Sequence, residues 1–295
     1  MIEQGEIFMQ DQLLVVKNLS VSYQSNKPVE ALKDVTFSLK RGEIMAVLGE
    51  SGSGKSTLAY SIMQLHQHND RVHTEGYLAF EGKELFPHPV CRLSRVRGKQ
   101  IGFIFQDPLL ALNPVFTVGN QLSEMLCFHY KMSQKRAKHR VLELLEKLDL
   151  KPPERIYKSY PHELSGGMRQ RVMIALAVAL EPRLIIADEP TFALDASLRF
   201  EIISLMIDMC TSRNSAMLLI THDINIAANF AHSLLVLHHG QVVEAGAVED
   251  VLDEPNSRYT QSLISLFKAE QDFMADRFVS STADRNGCVL ATPAN

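Results

Sequence analysis

A chain of 295 residues can bury a sizeable core, and its length suggests one large domain, or one domain with a smaller subdomain and a tail. Lysine and arginine total 30 against 34 aspartates and glutamates, so there is no cationic excess to point to nucleic acid as the main partner. The four cysteines, Cys91, Cys127, Cys210 and Cys288, have no C-x-x-C spacing, which excludes an obvious zinc motif and fits a reduced, cytosolic compartment without a disulfide framework.

Met1 to Asp11 lacks the basic-then-apolar layout of a signal peptide. The apolar run Val172 to Leu180 is about half of what a bilayer-spanning helix needs, so any membrane role is expected to run through a partner. Residues 1–12 read as an extension. Leu13-Leu14-Val15-Val16 and Val35-Thr36-Phe37-Ser38-Leu39 read as strands separated by a polar turn around Ser25-Asn26-Lys27-Pro28. Tyr23, just before that turn, is placed to stack its ring on a base, or else to pack locally at a strand edge.

Ile44-Met45-Ala46-Val47-Leu48 predicts a strand that runs into Gly49-Glu50-Ser51-Gly52-Ser53-Gly54-Lys55-Ser56-Thr57 and then a helix over Leu58 to Leu65. A strand, a glycine-rich loop and a helix N-terminus in that order make a nest of backbone N–H groups that suits nucleotide phosphates. Lys55 is expected to reach the β- and γ-phosphates and the Ser56 hydroxyl to sit on Mg²⁺, since a polyanion in a narrow nest needs a mobile cation and a metal. His66, His68, His73 and His88 follow at irregular spacing in a polar stretch, which predicts solvated loop histidines and no metal site.

Ile101 to Phe105 predicts a strand closing on Gln106-Asp107-Pro108, where a polar side chain at a strand end can sense a bound metal. Val118 to Leu150 is helical in pattern, with Val141, Leu144, Leu145 and Leu148 on one face, and Lys151-Pro152-Pro153 marks its end. Ser165-Gly166-Gly167 opens the apolar helix Val172 to Leu180; a hydroxyl, bare amides and a helix dipole there make a second anion-seeking N-terminus, or a plain N-cap.

Leu184 to Ala187 predicts a buried strand ending in Asp188-Glu189. There Asp188 suits Mg²⁺ ligation through water, and Glu189 suits polarising a water that attacks a γ-phosphate. Ala193-Leu194-Asp195 leads into a helix with Leu198, Ile202, Leu205, Met206 and Met209 on its apolar face. Ala216 to Ile220 predicts a strand ending in Thr221-His222, whose imidazole can hold a terminal phosphate and the attacking water. Ser233 to Leu237 and Gln241 to Glu244 predict strands joined at His238-His239-Gly240, with the His pair serving only as a turn. The tail, 268–295, lacks apolar periodicity and predicts a mobile or weakly packed segment.

This ordered set resembles the nucleotide-binding subunit of ATP-binding cassette (ABC) transporters. The phosphate loop, Gln106, Leu164-Ser165-Gly166-Gly167, Leu184 to Glu189, Ala193-Leu194-Asp195 and His222 carry the resemblance, which spans Leu13 to Phe267. It implies an α/β P-loop NTPase core with an antiparallel β subdomain and an inserted α-helical subdomain at about 107–182. Arg97-Gly98-Lys99, Phe105 to Pro108 through Leu112-Asn113-Pro114, Tyr160 to Glu163, and Pro255 with Tyr259-Thr260 make it most similar to ATPases of bacterial dipeptide, oligopeptide and nickel importers.

The resemblance implies ATP and Mg²⁺ as ligands and a peripheral place at the cytoplasmic face of the inner membrane. It also implies a second, similar ATPase, with a heterodimer favoured, two permeases and a substrate-binding protein. Ser165 and Gly167 are then expected to cap the γ-phosphate of ATP bound by a neighbouring chain, and Gly166 and Asp195 are expected among the nucleotide-binding residues. Met168, Phe192 and Ser257-Arg258 depart from the family pattern, and with only Cys288 in the tail no iron–sulfur cluster is expected. An ABC-type ATPase acting on DNA or the ribosome would carry long coiled coils or two cassettes, which are missing here. A small-molecule kinase would leave Leu164 to Gly167 without purpose, and a non-hydrolysing regulatory subunit would not need Glu189 and His222.

Overall fold

The computed structural model describes residues 11–24, 28–66, 69–86, 96–191, 194 and 196–267. Residues 1–10, His68, His88, Cys91, Phe192, Ala193, Asp195 and the tail with Cys288 lie outside these, so the readings placed on them stay expectations.

Six strands form the central sheet in the order β10-β9-β3-β8-β7-β6. These are β3 (Ile44–Leu48), β6 (Ile101–Ile104), β7 (Leu184–Asp188), β8 (Ala216–Ile220), β9 (Ser233–His238) and β10 (Gln241–Ala247). All pairings are parallel except the β9–β10 hairpin. The period of two along each strand explains why β3, β7 and β8 read as unbroken apolar runs, because both faces are covered. Ile185, Ala187, Met217 and Leu219 face a helical core, while Leu184, Ile186, Leu218 and Ile220 face a core built with a second sheet.

That second sheet is antiparallel, in the order β2-β1-β4-β5. Its strands are β1 (Gln12–Tyr23), β2 (Val29–Lys40), β4 (Val72–Phe80) and β5 (Lys83–Phe86). The predicted strands Leu13 to Val16 and Val35 to Leu39 are the buried parts of longer ones. β4 and β5 were not foreseen, because most of β4 is solvent-facing and polar and only Leu78, Ala79 and Phe80 are buried. Helix α1 (Lys55–Ile62) starts earlier and stops sooner than expected, where Gln64 takes a left-handed φ of 49°.

The helical subdomain contains α2 (Pro108–Ala111), α3 (Val118–Tyr130), α4 (Gln134–Lys147) and α5 (Pro153–Lys158), followed by α6 (Gly166–Val178). The segment read as one helical stretch breaks at Lys131, which is left-handed at φ 55°. The proline pair does not end the subdomain; Pro153 opens α5, and Tyr157 lies against Gly119 of α3 and bonds Ser123 at 2.9 Å. Arg171 of α6 ties the end of α4 to the next helix, α7 (Ala196–Thr211), by donating to the Leu148 carbonyl at 2.9 Å and to Glu201 at 2.6 Å.

After β8 come α8 (Ile224–Phe230), the β9–β10 hairpin and α9 (Val248–Asp253). Residues 258–267 are helical and set Ile264 into a third core with Ala46 and Leu48. Among the described residues no helix is long and apolar enough to cross a membrane.

Candidate active site

Four parallel strands end on one edge of the central sheet, and each delivers part of the site there, as open α/β sheets do at their carboxyl ends. β3 runs into the glycine loop, β6 into Gln106, β7 into Asp188 and Glu189, and β8 into His222. The loop is pinned at both ends by close backbone approach. A Cβ on Gly49 would come within 2.2 Å of the Leu237 carbonyl oxygen, and one on Gly54, left-handed at φ 106°, within 2.6 Å of the Ala31 carbonyl oxygen. The first turn of α1 carries no acid, so its free N–H groups favour an anion.

Lys55 is folded into its own loop, donating from Nζ to the Gly49 carbonyl at 2.7 Å and the Glu50 carbonyl at 2.8 Å. Burial lowers its pKa, opposed by the carboxylates of Glu189, Asp188 and Glu50. Ser56 Oγ donates to Asp188 Oδ1 at 3.1 Å. Burial pushes the Asp188 carboxyl up, and the Glu189 charge adds to this, while Ser56 and Lys55 pull the other way. Glu189 stands in the left-handed region at φ 44°, its N–H held by the Ile220 carbonyl at 3.0 Å. Its Oε2 lies 3.4 Å from Gln106 Nε2 and 3.6 Å from His222 Nδ1.

These groups surround an open cavity of about 840 Å³. Ser51, Gly52, Gly54, Lys55, Ser56, Thr57, Gln106, Glu189 and His222 all line it. Gly49 and Glu50 contribute through Lys55, and Ser53 is buried at the base of the loop, its Oγ without a hydrogen-bond partner among the described residues.

Tyr23 is not among the residues lining the cavity. Its hydroxyl lies 3.4 Å from Thr57 Oγ1 and 3.2 Å from His66 Nε2, and its ring meets His66 edge-on. His66 is accordingly no solvated loop residue: burial lowers its pKa, and it sits between Tyr23 and Tyr60. His73 is solvated as expected, paired in the open with Glu75 at 2.9 Å, but it lies on β4 and not in a loop.

Ser165, Gly166 and Gly167 also stand outside the cavity lining. Ser165 caps α6, its Oγ accepting the Met168 N–H at 3.3 Å, and among the described residues no atom lies within 4 Å of the place a Gly166 side chain would occupy. Gln170 of α6 donates to the Pro190 carbonyl, so this helix is joined to the segment that carries Glu189.

The β9–β10 turn is more than a turn. His239 and Gly240 line the cavity together with Val29, Glu30, Ala31 and Lys33 of β2. Gly240 is left-handed at φ 79°; its N–H donates to the Ser53 carbonyl at 2.9 Å and its carbonyl accepts the Lys33 N–H at 2.8 Å. A histidine pair followed by glycine in a hairpin was the available signal, but nothing local says what the hairpin will meet.

Three comparisons with known proteins bear on this geometry. Residues 32–192 match the protein-family model described as ABC transporter. The chain belongs to the ABC transporter family. This cassette is 44% identical over 254 residues to the oligopeptide transport ATP-binding protein OppD of Bacillus subtilis (strain 168), covering 86% of this chain and 71% of that protein. It is 42% identical to the oligopeptide transport ATP-binding protein AppD of the same organism, over 86% and 77% of the two chains.

Among solved structures it resembles the dimeric post-hydrolysis state of the ATP-binding cassette MJ0796 bound to ADP and Pi, with TM-score 0.72 and 33% identity over 80% of this chain and 99% of that one. The cassette is therefore an ATP-hydrolysing subunit of an ABC transporter, with the two-sheet and helical-subdomain architecture the motifs implied. A role on nucleic acid or the ribosome is not favoured by relatives of this kind.

Proposed function

We propose that this ABC cassette powers peptide import into a bacterial cell, as a peripheral subunit at the cytoplasmic face of the inner membrane that drives two separate permeases. The similarity to OppD and AppD over most of the chain carries the choice of peptide. Nickel or a metal chelate is the other cargo that the sequence motifs leave open.

The convergence of Lys55, Ser56, Gln106, Glu189 and His222 on one cavity carries the mechanism. Lys55 would leave the Gly49 and Glu50 carbonyls for the β- and γ-phosphates, while the loop amides and the α1 N-terminus take up phosphate charge. Glu189 and His222 would hold and polarise the attacking water. The Ser56–Asp188 pair fits Mg²⁺: it offers hard oxygen ligands, and burial raises the pKa of its carboxyl, which a cation beside it would counter. Ser56, Gln106 and, through water, Asp188 would hold that ion, which would supply charge neutralisation when bound.

Ser165, Gly166 and Gly167 point to a second chain. They form the N-terminus of α6 outside the cavity of their own chain, so we assign Ser165 and Gly167 to the γ-phosphate of ATP held by a partner ATPase, with two sites at one seam, and count Gly166 and Asp195 among the nucleotide-binding residues. A heterodimer is the proposed pair. Tyr23 would turn from Thr57 and His66 to stack on adenine. Gln106 and the segment after it would carry dimer opening to the permeases.

The test is ATPase activity of the reconstituted assembly. Stimulation by peptide-loaded binding protein supports the proposal, stimulation by a nickel-loaded one moves the cargo to metal, and stimulation by DNA or ribosomes refutes it.

A further inference from the structure

The peptide group between Gly49 and Glu50 is held from both sides. Its carbonyl, on Gly49, accepts from Lys55 Nζ at 2.7 Å; its N–H, on Glu50, donates to the Tyr259 hydroxyl at 3.1 Å. In a trans peptide the C=O and N–H lie in one plane and point in opposite directions, so fixing the N–H fixes where the carbonyl points. Tyr259 comes from the last described helix, residues 258–267, more than two hundred positions along the chain.

The tyrosine is itself well placed. Its ring stacks on His238 at 3.8 Å between centroids and 29° between planes. His238 ends β9, just before the turn that holds Ser53 through Gly240. The start of the tyrosine's helix is fixed by Glu244 of β10, whose carboxylate accepts the N–H groups of Asn256 at 2.7 Å and Ser257 at 3.0 Å.

We propose that Tyr259 is a positioning residue for nucleotide binding: it holds the Gly49–Glu50 peptide with its carbonyl toward Lys55, so that the ammonium stays aimed when it moves to the phosphates. This rests on the reading that the loop binds ATP. Glu50 is not among the residues lining the cavity, so Tyr259 works from behind the loop and touches no substrate. Losing the hydroxyl frees that peptide to turn, and Lys55 loses a fixed point on its path.

The experiment compares Tyr259→Phe, which keeps the ring, with Ile264→Ala, which keeps the hydroxyl and loosens the packing of the same helix in the core it shares with Ala46 and Leu48. Both are measured in the full chain assembled with its companion subunits, as steady-state ATPase against MgATP and as urea unfolding. Tyr259→Phe is expected to raise KM for MgATP about fivefold, the equivalent of one lost hydrogen bond, with kcat within about twofold. Ile264→Ala is expected to lower the unfolding midpoint and leave KM unchanged.

An unchanged KM in Tyr259→Phe overturns the proposal. So does an equal rise in Ile264→Ala, since the effect would then be helix docking alone. Failure of the unaltered assembly to bind or hydrolyse MgATP would remove the functional reading, and this inference with it; that outcome is distinct from a normal wild type with a silent Tyr259→Phe.

Discussion

Gly240→Ala tests whether the β9–β10 turn builds the nucleotide site or only closes a hairpin. Gly240 is left-handed at φ 79°, which costs an alanine about 1–2 kcal/mol. The added Cβ would sit 2.6 Å from the Ala31 oxygen, 3.0 Å from its carbon and 3.2 Å from Leu32 Cα, all backbone atoms that cannot rotate away. Reaching ordinary contact requires β2 and the turn to part by roughly 0.8 Å, a shift a close-packed interior resists. The Lys33 N–H bond to Gly240 at 2.8 Å and the Gly240 N–H bond to Ser53 at 2.9 Å would both stretch past useful length, at about 1 kcal/mol each.

The expected loss is therefore about 3–4 kcal/mol in urea unfolding of the nucleotide-free protein, with an unchanged m-value. A MgATP affinity about fivefold weaker is expected alongside it, because Ser53 loses its anchor. Gly82→Ala is the control: Gly82 is also left-handed, at φ 70°, but among the described residues has no atom within 4 Å of its missing Cβ, so only the backbone cost of about 1–2 kcal/mol applies. If Gly240→Ala is no worse than Gly82→Ala, or leaves MgATP affinity unchanged, the argument from close approach is wrong.

Glu189→Gln should keep MgATP binding while turnover falls at least about a hundredfold, read by binding and steady-state assays on the same preparation; full turnover removes Glu189 from its role. Asp188→Asn should stabilise the nucleotide-free protein at neutral pH and abolish the dependence of nucleotide binding on Mg²⁺. The sign follows from its raised pKa: between the unfolded and folded values the native state holds more protons than the unfolded chain, so wild-type stability falls as pH rises through that window. The variant's advantage should appear across the same window in unfolding curves, and a variant less stable than wild type at neutral pH contradicts this. Arg171→Ala should cost about 2–3 kcal/mol in urea unfolding, since it cuts the Leu148 and Glu201 bonds that join the helical subdomain to α7; a change below about 0.5 kcal/mol would mean the subdomain is held by apolar packing alone.

Much of the site could be read from short stretches, because the chemistry of phosphate binding is local. Gly49 to Thr57 contains its own strand exit, loop and helix start, and Asp188, Glu189 and His222 each follow an apolar run whose end is visible in the residues. In parallel α/β sheets such run ends gather on one edge, so the groups that follow them meet at one cavity. Buried strands such as Leu184 to Ala187 were legible for the same reason, their continuous apolarity reflecting cover on both faces.

What local pattern could not supply is contact between segments far apart in the chain. Ala31, His239 and Gly240 meet the phosphate loop only because β2 and the β9–β10 hairpin fold back over it, and Tyr259 reaches Glu50 across the whole domain. β4 and β5 hid because a solvated antiparallel sheet spends polar residues freely, and His66 looked solvated because the partners that bury it, Tyr23 and Tyr60, are set by folding. Residue types and their spacing therefore carried the reaction chemistry, whereas the aim of each group at its target came from long-range backbone contacts, which depend on shape and leave no periodic trace in the chain.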